Sequence, residues 1–220
     1  MLTTGPGSIE SFLDQLAAAD SGPNSFNPFD GSVPDNALRR VNLEKYLQKM
    51  AEHKPKVMLL GEAPGYRGMR ITGIPFMDRR MLFGQGSNYF GLFGPDEGYA
   101  APADLPSVMY EPTAAVMWRT LADLDFLPLL WSAYPFHPHK AGNPLSNRTP
   151  TAANSATGQL HWQALVELFS IQAIIAVGNI AHRSLLLSGR SAPKVRHPAH
   201  GGNVKFKEGL EELLAGGIND

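Results

Sequence analysis

At 220 residues with 43% hydrophobic content, the chain is long enough to bury a sizeable core, and its length fits one domain of the larger sort over 1–220. Nineteen basic residues against twenty acidic ones leave a formal net charge of -1, which excludes a molecule-wide field for polyanions and makes any such site local. The absence of cysteine removes disulfides, thiolate nucleophiles, cysteine-held zinc and iron–sulfur clusters. With no bilayer-length apolar run, and acids in place of a basic leader in "MLTTGPGSIESFLDQLAAAD", it points to the cytosol.

A short N-terminal helix is followed by "SGPNSFNPFDGSVPD", a loop, so that residues 1–35 form a helix-and-loop extension. "PDNALRRVNLEKYLQKMAEH" then predicts a helix with Leu38, Val41, Tyr46 and Met50 on its inner face, stopped before Lys54-Pro55. "KVMLLG" reads as a strand. The segment from Gly84 to Pro112 carries Gly or Pro every few residues and receives no firm structure. "PTAAVMWRTLADLDF" predicts a helix with proline in its first turn and Val116, Leu121 and Leu124 inward.

"LPLLWSAYPF" is a second apolar run ending in punctuation, and "TAANSATGQLHWQALVELFS" a helix with Leu160, Leu165 and Leu168 on one face. "IQAIIAVG" is the clearest buried strand, "NIAHRSLLLSG" a helix directly after it, "APKVRH" a last strand and "FKEGLEELLAGG" a closing helix with glycine as its stop. Continuous apolar strands alternating with helices are strands covered on both faces. The fold class is therefore α/β, three layers α/β/α around a short, mostly parallel four-stranded sheet.

In open α/β sheets ligands bind beyond the carboxyl ends of the strands. Those ends carry Glu62 in "GEAPG", Ser132 to His139 in "SAYPFHPH", Gly178 and Asn179, and "HPAHGG" from His197 to Gly202. Glutamate, histidines and glycine-rich turns thus converge on one edge. Two basic stretches accompany them. One holds Arg67, Arg70, Arg79 and Arg80, broken by Asp78. The other, Arg183 to Lys207, contains Arg190, Lys194, Arg196, Lys205 and Lys207 and no acid. Taken alone, both read as solvated faces.

"GEAPG" followed by "GIPF", an apolar strand before "PFHP", "AVGNIAHRSLL", and a terminal "HP" followed by glycines resemble, in order and spacing, the landmarks of the uracil-DNA glycosylase superfamily from Val57 onward. The "GEAPG" branch normally carries an iron–sulfur cluster. This chain resembles a cluster-free relative, in which packing must replace the cluster's structural role.

The resemblance implies hydrolysis of the bond between a deaminated base, such as uracil, and its sugar in DNA, after the nucleotide is flipped out. It implies no metal or organic cofactor, DNA as partner through a local basic edge, no membrane, and a monomer. Glu62 matches the residue that orients water or stabilises the sugar cation, and His197 the donor to the base oxygen where negative charge grows. Phe76 matches the aromatic that stacks on the base. Ala63, Gly65 and Tyr66 on the same turn, with Ser132, complete the base-binding set. Arg67, Arg70, Arg196, His200, Gly201 and Lys205 are the nucleic-acid-binding candidates, with Gly201 and Gly202 lending freedom to the loop after "HP".

One departure matters. The family commonly places an asparagine where this chain has Ser132, and a hydroxyl lacks the amide's paired donor and acceptor, a loss of roughly 1–3 kcal/mol in base discrimination. Asn143, Asn147 and Asn179 are the nearby amides that compensation would call on. Two other classes stay open at this level: a glycosylase-fold module that binds nucleic acid or a free base with little catalysis, and a metal-dependent hydrolase using His137 and His139 with Glu62 or Asp78. His182, inside a helix, reads as structural.

Overall fold

The computed structural model of the protein describes residues 7–84, 89–108 and 110–219. Helix α1 (Ile9–Ala18) starts where the Ser8 side chain accepts the Ser11 N–H at 3.1 Å. It is followed by the two-residue strand β1 (Ser25–Phe26), inside the segment expected to be loop throughout. Helix α2 (Asn36–His53) stops at Lys54, which turns left-handed (φ 52°) just before Pro55. Strand β2 (Val57–Gly61) is buried over its whole length, and the short helices α3 (Met69–Thr72) and α4 (Arg79–Leu82) follow.

The segment without predicted structure contains single 3-10 turns at Tyr89–Gly91 and Pro95–Glu97, and it buries Leu92, Phe93 and Tyr99; residues 85–88 and 109 lie outside the described residues. Then come α5 (Pro112–Asp123), β3 (Leu129–Ser132), β4 (His137–Pro138), α6 (Ala152–Leu168), β5 (Ala173–Val177), α7 (Asn179–Leu187), β6 (Lys194–Val195) and α8 (Asn203–Ala215).

The four strands β3-β2-β5-β6 form one sheet in that order, every pairing parallel, as the unbroken apolar runs require. From β2 the chain moves outward to β3, then crosses back to place β5 on the other side of β2. The order therefore reverses between β2 and β5, and a crevice opens at that switch point, outside the carboxyl ends. Helices α6 and α7 pack side by side, and Gly158 of α6 comes so close to the β3 exit that a Cβ there would lie 1.8 Å from the Ala133 carbonyl oxygen. An aromatic series, Tyr46, Phe93 and Trp118, links α2 to α5, and the Tyr46 hydroxyl accepts the Leu130 N–H of β3.

The N-terminal segment is built into this body. Ile9, Phe12, Leu16 and Phe29 are core residues, and β1 pairs antiparallel with β4.

Two helix faces differ from expectation. In α2, Leu38 and Val41 are exposed (39% and 44%) while Asn36, Arg39, Asn42, Leu43, Tyr46, Leu47 and Met50 are buried. The inner face carries polar groups because they bind backbone of distant segments. Asn42 donates to the Thr72 and Ala100 carbonyls and accepts the Ala100 N–H. Arg39 donates to the Arg70 carbonyl and pairs with Asp104 at 2.7 Å. In α6, Leu160 is 69% exposed, and the inward side is Asn154, Gly158, His161, Trp162 and Leu165.

Candidate active site

The crevice at the switch point is a cleft of about 650 Å³. Glu62, Ala63, Gly65, Phe76, Ser132, His197, His200 and Gly201 of the sequence-derived candidates line it together.

Glu62 stands one residue beyond β2. The chain after β3 continues to bind this turn: Ala133 N–H donates to the Gly61 carbonyl at 2.8 Å and Tyr134 N–H to the Glu62 carbonyl at 3.1 Å. Burial pushes the Glu62 carboxyl above its ordinary value, opposed in part by a hydrogen bond from the Thr149 side chain. A carboxylate held in this way is a poorly solvated negative charge, which favours an adjacent developing cation.

Phe76 holds a left-handed backbone (φ 51°), and its carbonyl accepts the Trp118 Nε1–H at 2.9 Å. Its ring lies against the end of β2, where only glycine leaves room: a Cβ on Gly61 would sit 2.5 Å from Phe76 Cζ. The strained conformation is paid for by surrounding packing and presents one aromatic surface to the cleft.

His197 follows β6. Its Nδ1 accepts the Ala199 N–H at 3.2 Å, so the proton of the neutral ring resides on Nε2. Burial, then the positive field of Arg196 and His200, pushes its pKa down to about 4, and the ring is a neutral N–H donor at ordinary pH. Gly178, at the end of β5 with φ 87°, leaves space for it, since a Cβ there would lie 3.0 Å from His197 Cβ.

Ser132 is buried at 4% exposure, and its hydroxyl is turned toward the Met69 sulfur at 3.9 Å. Of the three amides, Asn147 lines the cleft and its Oδ1 accepts the Tyr66 N–H at 3.1 Å; Asn179 accepts from Lys194 Nζ outside it, and Asn143 closes the turn from Lys140.

Other candidates lie elsewhere. Tyr66 is not part of the cleft wall; its hydroxyl accepts from Arg67 Nε at 2.7 Å and the Arg67 guanidinium covers its ring. Arg196 and Lys205 are exposed beside the cleft rather than in it. Arg70 is corrected as a nucleic-acid contact: it is buried at 9% exposure, stacks on Phe26 at 4.6 Å and faces Asp104 at 3.4 Å. Arg79, from the same basic stretch, donates to the Pro102 and Asp104 carbonyls. These arginines fasten the 99–104 segment instead of forming a solvated face. Gly202 is not a hinge either, because a Cβ there would meet the His197 carbonyl oxygen at 2.1 Å; its role is close approach at the start of α8.

The metal-site arrangement is not assembled. His137 Nδ1 faces the Pro64 carbonyl at 2.8 Å and Nε2 the Pro144 carbonyl at 3.2 Å, so both ring nitrogens are turned to backbone oxygens. Both carboxyl oxygens of the fully buried Asp78 accept backbone N–H groups, and no metal-holding cluster exists among the described residues.

Sequence reasoning missed Glu111, which lines the cleft with Thr113 and Val116. Its carboxylate caps α5, accepting Thr113 N–H at 3.0 Å and Ala114 N–H at 2.9 Å. Burial pushes this carboxyl up, the capping hydrogen bonds pull it back, and Asp78 nearby adds a smaller upward push. The available signal was an acid immediately before a proline that opens a helix.

A carboxylate just past β2, an aromatic ring packed against the end of that same strand and a neutral imidazole donor just past β6 thus share one cleft at the carboxyl edge of the β3-β2-β5-β6 sheet. The profile of the uracil DNA glycosylase superfamily matches residues 48–214, and the chain belongs to that superfamily. In fold it is similar to the crystal structure of wild-type SMUG2 from Pedobacter heparinus, with a TM-score of 0.63 over 96% of this chain and 98% of that one, at 13% identity. A comparison with curated proteins finds no match. Among the described residues no helix is long and apolar enough to cross a membrane.

Proposed function

We propose that this protein is a DNA glycosylase that excises uracil or another deaminated base, a base-excision repair hydrolase acting without a cofactor. The observation that carries this reading is the convergence of Glu62, Phe76 and His197, from three separate segments, on one cleft.

In the reaction the C1′–N bond breaks with its electron pair going to the base. The water oxygen bonds to C1′, one water proton stays as the new sugar hydroxyl, and the other neutralises the base. Phe76 offers a face for the flipped base. His197 Nε2–H donates to the base oxygen as negative charge grows there, and Glu62 stabilises the sugar cation and orients the water. The exposed Arg196 and Lys205, with His200 and Gly201 at the rim, are suited to hold phosphates beside the cleft.

Single-turnover cleavage of labelled oligonucleotides carrying uracil, hypoxanthine or xanthine tests the reading. Wild type cuts at least one, and Glu62→Gln or His197→Ala slows it by roughly a hundredfold or more. Cleavage by neither wild type nor Ser132→Asn overturns it in favour of a binding module, the alternative that the turned-away Ser132 hydroxyl supports.

A further inference from the structure

Resting on the glycosylase reading, we propose that Glu111 reads the edge of the flipped base and that the pocket thereby selects hypoxanthine over uracil and xanthine. Besides Glu62 and His197, the polar side chains on the cleft wall are Glu111, Thr113, Ser132, Asn147, Arg148, His200 and Asn203. Ser132 is turned onto the Met69 sulfur, and the Asn147 carbonyl is engaged by Tyr66 N–H. Glu111 lies over the adjacent Gly68, where a Cβ would meet its Cγ at 3.3 Å and its Oε2 at 3.6 Å. Gly68 and Met69 are consecutive, so Glu111 and Ser132 flank the same short piece of wall.

The chemistry of Glu111 differs from that of an amide. Each carboxylate oxygen accepts one backbone N–H of α5, and the Thr113 side chain adds a third hydrogen bond to the carboxyl, which fixes its orientation and still leaves one of the four lone pairs toward the cleft. An ionised carboxylate only accepts. Uracil presents carbonyl, N–H, carbonyl along its edge, and xanthine repeats that order around its N1–H. One carboxylate oxygen would take the N–H, while the other would oppose a carbonyl lone pair. Hypoxanthine has a carbonyl on one side of its N1–H and only a C–H on the other, so the carboxylate can accept the N–H without that repulsion. A cleft of about 650 Å³ also has room for a purine.

The test separates base reading from chemistry. In a Glu62→Gln background, equilibrium binding is measured to oligonucleotides carrying hypoxanthine, uracil or xanthine, with residue 111 as Glu, Gln or Asp. Glu111→Asp keeps a strong helix cap and a carboxylate one methylene shorter, which controls for folding. The expected result is about tenfold tighter binding of the hypoxanthine strand with Glu at 111, falling to near parity with Gln or Asp. A preference order unchanged by both substitutions, in variants that melt like the parent, makes Glu111 a helix cap alone and overturns the proposal. Wild-type cleavage of any strand beside such an unchanged order removes Glu111 and keeps the glycosylase. A binding order that follows residue 111 without any cleavage keeps the reader and removes the glycosylase.

Discussion

The Phe76 ring occupies the space that a side chain on Gly61 would need: a Cβ there would lie 2.5 Å from Cζ and 2.9 Å from Cε2. The ring cannot retreat easily, since the Phe76 carbonyl is tied to Trp118 and its backbone is already left-handed. Gly61→Ala therefore displaces the stacking face. Binding of a lesion-bearing oligonucleotide weakens by roughly 1–3 kcal/mol, as for Phe76→Ala. Unchanged affinity in Gly61→Ala would show that the ring is core packing only.

The pH profile follows from the two groups at the reacting bond. Glu62 acts ionised, with its pKa raised above the ordinary 4.5 by burial, and His197 acts neutral, with its pKa lowered to about 4. Single-turnover rates rise with pH along an acidic limb on which Glu62 loses its proton, and then reach a plateau. A limb centred near 6.5 that persists in Glu62→Gln would place the His197 titration at its free value and contradict the neutral-donor role. The stability effect has the opposite sign: a raised carboxyl favours folding below its unfolded pKa, and that contribution is lost as the group ionises. Glu62→Gln accordingly raises Tm at pH 7 and not at pH 4, read by thermal melts at both.

Arg39 is buried at 1% exposure, and Asp104 is its charged partner. Removing the acid leaves a buried guanidinium with neutral hydrogen-bond acceptors but without its ion-paired carboxylate. Asp104→Ala lowers unfolding free energy by about 3 kcal/mol, the low end for a broken buried pair because Asp104 is one-third exposed. Urea unfolding gives the value, and a loss below ~1 kcal/mol would class the contact with surface ion pairs.

Acid stability has a contributor outside the cleft. His161 sits between Phe12 and Phe136, its Nδ1 has no hydrogen-bond partner among the described residues, and burial pushes its pKa down to about 4. The unfolded ring takes its proton near 6.5. Stability from this residue is thus complete above that pH and declines as pH falls toward 4, by roughly 2–3 kcal/mol. His161→Phe, measured by urea unfolding at pH 7 and pH 4.5, loses less on acidification than wild type. Equal losses would assign the acid sensitivity elsewhere.

The strand ends were legible because parallel buried strands announce themselves as apolar runs, and the cleft opens where those runs stop. Glu62 and His197 lie within two residues of a strand end, so strand order brings them to one edge, whereas Phe76, on the turn after α3, was marked only by the family resemblance. What periodicity could not see was burial of polar groups. Leu38 and Val41 lost the inner face of α2 to Arg39 and Asn42, whose partners are 30 to 65 positions away in the chain. For the same reason Arg70 and Arg79, which read as a basic surface, are interior ties. Glu111 was hidden in a stretch with few regular elements, where its role depends on a helix start rather than on a pattern of apolar residues.

The ties between α2, α3, α4 and the 99–104 segment use guanidinium, amide, carbonyl and carboxylate groups alone. Such a fastening has no redox state. Peroxide and chelators, which dismantle a clasp made of thiolates and iron, leave it closed, whereas guanidinium salts compete directly for its carbonyls and loosen it.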